Sequence, residues 1–497
     1  MSNSVDGPTR RLASIAWELS WDKIPANVVS KAKDLLLDYI GCLVSSSGED
    51  MAKVLLEVAS TEGRCVGGPG ATIVGSRLSY TTEWAAFVNG ANAHLAELDD
   101  THRGTAAHVG LGVWATALAV AERYRCSGSE LLTAAITGYE VALRVASSVM
   151  PSHYLRGWNP SGTATMFGCA ATAGKLLGLE EEKICHALGL AGVMAAGNRA
   201  HLTERVMTKD FNNGHAARCG VTAALLARAG FTASTDEFEN ALGFWNLYGG
   251  DTVHPEELVR GLNVVWRILE VGQKPYPSCR FIHSSIEAVL DLREIAGARA
   301  SEVESIVSRM SAAGKYIVDD ARPWLPGKGT MGPRFSAQFN IAVAWVLGQE
   351  GLMDIYDPAA ADRYLQRDDV RDLMSRVRID GDSGIDKDMN DLWRCVLAVR
   401  LRDGDTQERR VSFPLGEPEN PMDAEMLERR FRRMTQLHGW DGAAADELVE
   451  GARSVETDGG LRRILRLLRS GASGVGGARS PAGRKGRASA KTGLSGL

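Results

Sequence analysis

Apolar residues recur at helical spacing through most of the first 265 positions. After Ile24-Pro25-Ala26, with Pro25 near a first turn, Val28, Ala32, Leu35, Leu36, Tyr39, Ile40 and Leu43 follow a 3.6-residue period. The same period predicts helices from Thr82 to about Leu98 and from Val109 to Tyr124. Ser127 followed by Glu130 is a capping box that opens the run LLTAAITGYEVALRVASSV. Three more runs, near Thr163–Leu177, Glu180–Ala196 and Gly214–Arg228, are dense in Ala and Gly. Small residues let helix backbones approach closely, so a tight bundle is expected. A short strand-like piece, ATIVG, sits at Ala71–Gly75.

The pattern changes near Val264. VVWRILEVGQ reads as a strand, then a Pro-rich turn and a helix over Ser284–Ala296 follow. VESIVSRMS alternates over part of its length, as a half-buried strand does. RCVLAVRLRDGDTQERRVSF gives two strand-like arms around Asp403-Gly404, a hairpin signal. Helical spacing returns over Asp423–Gln436 and Leu461–Leu468. The order predicts a mostly α fold: a large all-helical domain (residues 1–265 and 418–469) with a smaller α+β lid domain (266–417) inserted into it. A cleft between two such lobes is the expected ligand site.

Composition narrows the class. The chain has 497 residues and 44% hydrophobic content, enough for two or three lobes. A net charge of −5 gives no sign of nucleic-acid binding. The eight cysteines form no C-x-x-C pair and sit mostly among small apolar residues, as reduced thiols do in a cytoplasmic protein. The first residues, MSNSVDGPTRRLASIAWELSWD, are too polar for a signal peptide. No stretch offers the roughly 18 continuous apolar residues of a membrane span. Residues 470–497 are mostly Gly, Ser and Ala with five basic residues and no acid, which predicts a disordered tail and leaves about −10 on the remainder.

One stretch concentrates titratable groups: AELDDTHRGTAAHVG, Ala96 to Gly110. With the upstream His94, it places Glu97 and Thr101 at three- and four-residue steps, one face of a continuing helix. A metal site is conceivable from the residue types, but the spacing matches no zinc or iron motif. Acid–base chemistry needs a His near a carboxylate, which the stretch supplies. A solvated helix end, with Asp99 and Asp100 capping the next helix, accounts for the same residues. Three other stretches tilt the balance. RGWNPSGTA (Arg156–Ala164) is a polar turn before a helix. VMTKDFNNGHAARCG (Val206–Gly220) puts Lys209 and Asn213 just before a helix whose N-terminus could receive an anion. QKPYPSCRFIHSS (Gln273–Ser285) gathers Lys274, Tyr276, Cys279, Arg280 and His283 around two prolines that stiffen the loop. Lys, Arg and His groups on the loops of two lobes suit a polycarboxylate ligand.

These four motifs, in this order, resemble the MmgE/PrpD family, which includes 2-methylcitrate dehydratase, cis-aconitate decarboxylase and iminodisuccinate epimerase. The resemblance runs from about Leu12 to Leu468 and includes FSAQFNIAVAWVLG (Phe335–Gly348). It implies a helical domain with an inserted lid, a homodimer, and no metal or organic cofactor. It also implies a site. His108 is the proton donor or acceptor; Glu97 and Thr101 shape its surroundings; Lys209 and Lys274 bind carboxylates; Tyr316 is a further site residue. Asn159, Arg280 and His283 fall on the remaining motifs, as substrate-binding groups. Two departures stand out. Asn159 occupies the place where the family's turn usually carries His, and Asn cannot act as an acid or base near pH 7. His108 is followed by Val109-Gly110, where many relatives have Pro.

The family's reactions share a carbanion beside a carboxylate. Lysine ammoniums can stabilise its developing charge, and an imidazole can exchange its proton. Loss of hydroxide gives a dehydratase, loss of CO₂ a decarboxylase, and return of the proton to the other face an epimerase. The sequence points to a lyase of a small di- or tricarboxylic acid. An isomerase or epimerase of a related compound and a non-catalytic carboxylate-binding relative are the alternatives.

Overall fold

The computed structural model describes residues 7–204, 206–297, 299–319, 332–385 and 393–471. Helix makes up 62% of the described residues and their sheets are few and small, so the protein is mostly α. The basic tail expected to be disordered lies outside the described residues from 472 onward. Its first position, Ser470, closes the helix Asp458–Ser470.

Two apolar cores divide the chain. One is built from Leu12 to Val271, is joined by Tyr356, and resumes from Leu427 to Leu468. The other is built from Tyr276 to Val411. The first contains the helices Thr82–His94, Val109–Tyr124, Gly128–Val149, Pro160–Leu176 and Thr208–Arg228. Ser127 and Glu130 make the capping box at the head of Gly128–Val149. The small residues act as expected. A Cβ on Gly214 would stand 2.3 Å from the Phe87 carbonyl oxygen, so only glycine lets Thr208–Arg228 lie this close to Thr82–His94. That approach matters because those two helices carry Lys209 and His94.

The second core packs the helices His283–Ala296 and Ala337–Asp354 with a four-stranded sheet. The strand order is Val377–Asp382, Val303–Ser311, Cys395–Leu401, Thr406–Val411. The first pair is parallel and the other two are antiparallel. VESIVSRMS is a strand throughout, and the hairpin turns at Asp403-Gly404, where Gly404 takes φ +97°.

Three expectations are corrected. VVWRILEVGQ is not one strand: Arg267–Glu270 is a 3₁₀ turn and only Val271–Gly272 is extended. Its amides are satisfied without a strand partner, since Val265 N–H donates to the nearby Gly261 carbonyl and Ile268 N–H to the distant Glu140 Oε1. The Thr82 helix stops at His94, short of Leu98. The Arg334 guanidinium takes the Leu95 carbonyl, Arg430 takes the Leu98 carbonyl at 3.4 Å, and Glu97 turns left-handed at φ +52°. Lys209 lies inside its helix, in the first turn of Thr208–Arg228, rather than ahead of it. A helix over Gly442–Arg453, capped by Asp441 Oδ1 on Ala444 N–H, also goes beyond the two predicted near the C-terminus. Among the described residues no helix is long and apolar enough to cross a membrane.

Arg430, on the helix Ala424–Leu437, is a buried clasp. Its guanidinium pairs with Asp38 and donates to the carbonyls of Leu98 and Lys274.

Candidate active site

Residues far apart in sequence meet through a two-residue ladder. Thr101 pairs with Gly272 and His102 with Val271, antiparallel. The ladder brings the strand end before Lys274 alongside the Glu97–Thr101 turn. Pro275 and Pro277 follow at once and hold the chain in an extended turn. The left-handed backbone at Glu97 is a sparsely populated conformation for a side-chain-bearing residue.

The result is a buried charge cluster. Lys209 Nζ donates to Glu97 Oε1, and Lys274 Nζ donates to Glu97 Oε2 at 3.1 Å and to Asp99 Oδ1 at 3.4 Å. Glu97, Asp99 and Lys274 are each no more than 1% exposed. Burial alone pushes both carboxyls up, but Lys209 and Lys274 outweigh it at Glu97, and Lys274 and His108 at Asp99, so both stay ionised. Burial pulls Lys274 down, but Asp99 and Glu97 together hold it above the ordinary lysine value. One carboxylate thus spans two ammoniums that would otherwise repel each other.

Two imidazoles share Asp99. His108 Nδ1 lies 2.5 Å from Asp99 Oδ2 and 3.0 Å from the Asp100 carbonyl. Both neighbours are acceptors, so Nδ1 carries the proton and Nε2 is left as the basic nitrogen. His94 Nδ1 faces the same Asp99 Oδ2 at 3.2 Å, and its Nε2 lies 2.7 Å from Lys209 Nζ, a donor. Burial, then Lys209, lowers His94 to about 4 and keeps it neutral. Asp100 stands behind them: Oδ1 accepts from Gly110 N–H at 3.1 Å and Oδ2 from Tyr139 O–H at 2.7 Å. It caps the next helix, as one sequence reading expected, but in the interior: it is 4% exposed, and burial pushes it up to about 6.

Two sets of ligand-type groups, His94–Asp99–His108 and His94–Glu97–Asp210, lie close enough to hold a cation. They do not fit one. His94 is engaged by Lys209, and Glu97 and Asp99 are neutralised by lysines. A divalent ion would add a third positive centre beside two fixed ammoniums.

The cluster floors a cleft of about 640 Å³, measured out to its open mouth. Its walls come from the segments of both cores: His94, His108, Asn159 and Lys209 from the first, Phe281 and Phe335 from the second, and Lys274 from the stretch that joins them. The Thr101 hydroxyl is buried in this lining and has no protein partner among the described residues.

Other residues singled out by sequence are placed differently. Asn159 reaches the cleft wall, but its Oδ1 accepts from Ser161 N–H at 3.0 Å and caps the helix Pro160–Leu176. Arg280 also reaches the wall, yet its guanidinium is spent inside the protein, on Glu417 Oε1 at 2.6 and 3.0 Å, the Leu415 carbonyl and His283. His283 lines a separate hollow and bonds to Ser278; burial, then Arg280, holds it well below the usual imidazole value. Arg280 thus lines the cleft with its guanidinium bonded inside the protein, and His283 lies outside the cleft lining. Tyr316 is 73% exposed and is not among the lining residues; Ile317, its neighbour, is. The helix Ala312–Val318 points the tyrosine outward.

Sequence reasoning passed over His94 as a site group, and over Arg199 and His201 altogether. The last two sit two apart in Gly197-Asn198-Arg199-Ala200-His201. A turn-rich stretch with two titratable residues after an Ala/Gly helix was the available signal. Arg199 stacks 3.6 Å over the Tyr154 ring and donates to the Tyr154 carbonyl at 2.6 Å.

Comparison with known proteins identifies the family. The MmgE/PrpD N-terminal domain matches residues 10–256 and the MmgE/PrpD C-terminal domain residues 276–452. The cis-aconitate decarboxylase of Aspergillus terreus is 28% identical over 470 residues, covering 90% of this chain and 91% of the relative. A cis-aconitate decarboxylase-like protein of Aspergillus oryzae is 28% identical over 483 residues, covering 93% and 97%. The human cis-aconitate decarboxylase is 25% identical over 460 residues, covering 90% and 92%. With both domains matched in order, the chain belongs to the MmgE/PrpD family and is an enzyme of that type.

Proposed function

We propose that the chain is a lyase that decarboxylates a small tricarboxylic acid of the cis-aconitate type, using its own side chains for charge stabilisation and proton transfer. The observation that carries this reading is Glu97 held between Lys209 and Lys274 beside an imidazole oriented by Asp99. The names of the relatives supply the substrate class.

In this reading the lysines hold carboxylates of the substrate and stabilise the electron pair left when CO₂ departs. One C–C bond breaks. Its pair spreads through the neighbouring double bond toward a retained carboxylate, where the ammoniums meet it. One proton then forms a C–H bond, leaving a methylidene dicarboxylate. His108 first takes a proton from solvent at Nε2, with Asp99 stabilising the imidazolium, and then delivers that proton to the carbon. The substrate's apolar carbons meet Phe281 and Phe335. The segment with its own core, Tyr276 to Val411, is the lid of this site, inserted between the two stretches of the helical core.

The test is ¹H NMR in D₂O with cis-aconitate, alongside the His108→Ala variant. The expected result is a methylidene dicarboxylate carrying one deuterium, with turnover lowered roughly 100- to 10,000-fold in the variant. No conversion by the wild type would overturn the substrate. Full activity of the variant would overturn His108. Water loss from 2-methylcitrate or citrate, or deuterium exchange into iminodisuccinate without loss of CO₂, would reassign the chain to dehydration or epimerisation.

A further inference from the structure

The cleft contains three imidazoles, and they are not equivalent. His94 has Asp99 on one nitrogen and Lys209 on the other. His108 has Asp99 and the Asp100 carbonyl on Nδ1. His201 is different. It lines the cleft, is 4% exposed, and its Nδ1 is buried without a hydrogen-bond partner among the described residues. A buried polar atom left unpaired costs free energy, and such atoms concentrate where a ligand completes the bonding.

The position of His201 is set by backbone pairing. Asn159 N–H donates to the Gly197 carbonyl at 3.1 Å and Arg199 N–H to the Gly157 carbonyl at 3.0 Å, around a bridge between Trp158 and Asn198. His201 follows two residues after this ladder, so it joins the wall to which Asn159 belongs. Asn159 cannot take a charge. His201 can.

The charge balance gives that capacity a use. Among the described residues Lys209, Lys274, Arg199 and Arg280 line the cleft; Glu97 beside them, Asp99 behind Lys274 and Glu417 on Arg280 leave one net positive charge against a ligand of three negative charges. His201 itself meets Lys209 from the helix Thr208–Arg228, His94 from the helix Thr82–His94, Glu97 from the turn after it, and Arg199 of its own segment. Burial first, and then Lys209 and the other positive neighbours, lower it to about 4 and keep it neutral. A carboxylate arriving at Nδ1 reverses that balance, because it brings a negative charge and an acceptor to a donor that has neither.

We propose that His201 is a carboxylate-binding residue that becomes protonated as the ligand enters, and so selects tricarboxylates over dicarboxylates. This rests on the polycarboxylate reading of the cleft, but not on which reaction follows. The proton comes from solvent and returns to it on release, so nothing else is consumed.

The experiment is isothermal titration calorimetry of the full chain with tricarballylate, a saturated tricarboxylate without the double bond, at pH 7 in buffers of different ionisation heat. The wild type is expected to take up about one proton per bound ligand more than His201→Gln does. The variant is expected to bind tricarballylate about 10- to 100-fold more weakly while its affinity for glutarate changes less than threefold. His201→Asn gives the same reading if the Gln variant does not fold. Tricarballylate binding to the wild type without proton uptake, or equal uptake by wild type and variant, overturns the role of His201 and leaves the polycarboxylate cleft standing. Absence of tricarballylate binding to the wild type overturns both.

Discussion

Glu97 carries more of the site than any other side chain, because each of its oxygens holds a different lysine. Glu97→Gln leaves Lys209 and Lys274 with no full charge between them. Removing one partner from a buried ionic cluster typically costs about 3–5 kcal/mol, which urea unfolding would read as a lower midpoint at constant slope. Turnover should fall about 100-fold, since the ammoniums lose their fixed placement. Tyr316→Phe makes the opposite case: with its ring in solvent and outside the lining, kcat and KM should both stay within about twofold. A tenfold loss of kcat would return it to the site. The sequence singled out Glu97, Thr101, His108, Lys209 and Lys274 because each lies in a motif dense in polar groups, and in the structure these five line one cleft. It misplaced Tyr316 because helical spacing gives no sign of which face of a short surface helix turns inward. It overlooked His201 because a lone imidazole carries no periodicity.

At the scale of elements, the close approach at Gly214 is a hinge between stability and chemistry. Gly214→Ala places a methyl against the Phe87 carbonyl and the Ala91 side chain, forcing the Lys209 helix away from the His94 helix. The expected loss is about 1–3 kcal/mol, together with a raised KM for the carboxylate substrate. Ser127→Ala is the control: it removes the capping box of Gly128–Val149, should cost about 1 kcal/mol, and should leave kcat unchanged. A drop in kcat there would show that the bundle transmits strain to the site. Elements governed by local chemistry were legible, including that capping box, the strand Val303–Ser311 and the Asp403-Gly404 hairpin. Those settled by distant partners were not. The Thr82 helix ends where arginines at 334 and 430 capture its carbonyls, and no local pattern encodes a guanidinium more than two hundred residues away.

Across the whole molecule, two opposing sets of buried groups shape the response to acid. Burial, as the largest cause, lowers His94, His153, His201 and His438 to about 4. Their unfolded value is higher, so their contribution is complete above about 6.5 and is lost as pH falls toward 4. Burial raises Asp100 to about 6 and Glu140, Asp210 and Glu237 to about 7. The native state binds those protons first, so these four favour folding as pH falls from 7 toward 4.5. The two sets offset each other. The urea midpoint should therefore be nearly flat between pH 5 and 7, and fall steeply below about 4, where Glu97 and Asp99 lose their stabilising ionisation. A steady decline from pH 7 to 5 would show that the histidines dominate.

The Arg430 clasp bears on when the enzyme first becomes active. Synthesis proceeds from the N-terminus, and segments fold as they emerge. Glu97, Lys209 and Lys274 have all been made long before position 430. Yet the backbone of Lys274 and the turn at Leu98 are pinned by a guanidinium that arrives near the end, anchored on Asp38 from near the beginning. A growing chain can thus hold every charged group of the cleft and still lack the geometry that makes them work together. Chains truncated before Arg430 are therefore expected to be inert rather than weakened, which an activity assay of such truncations would check.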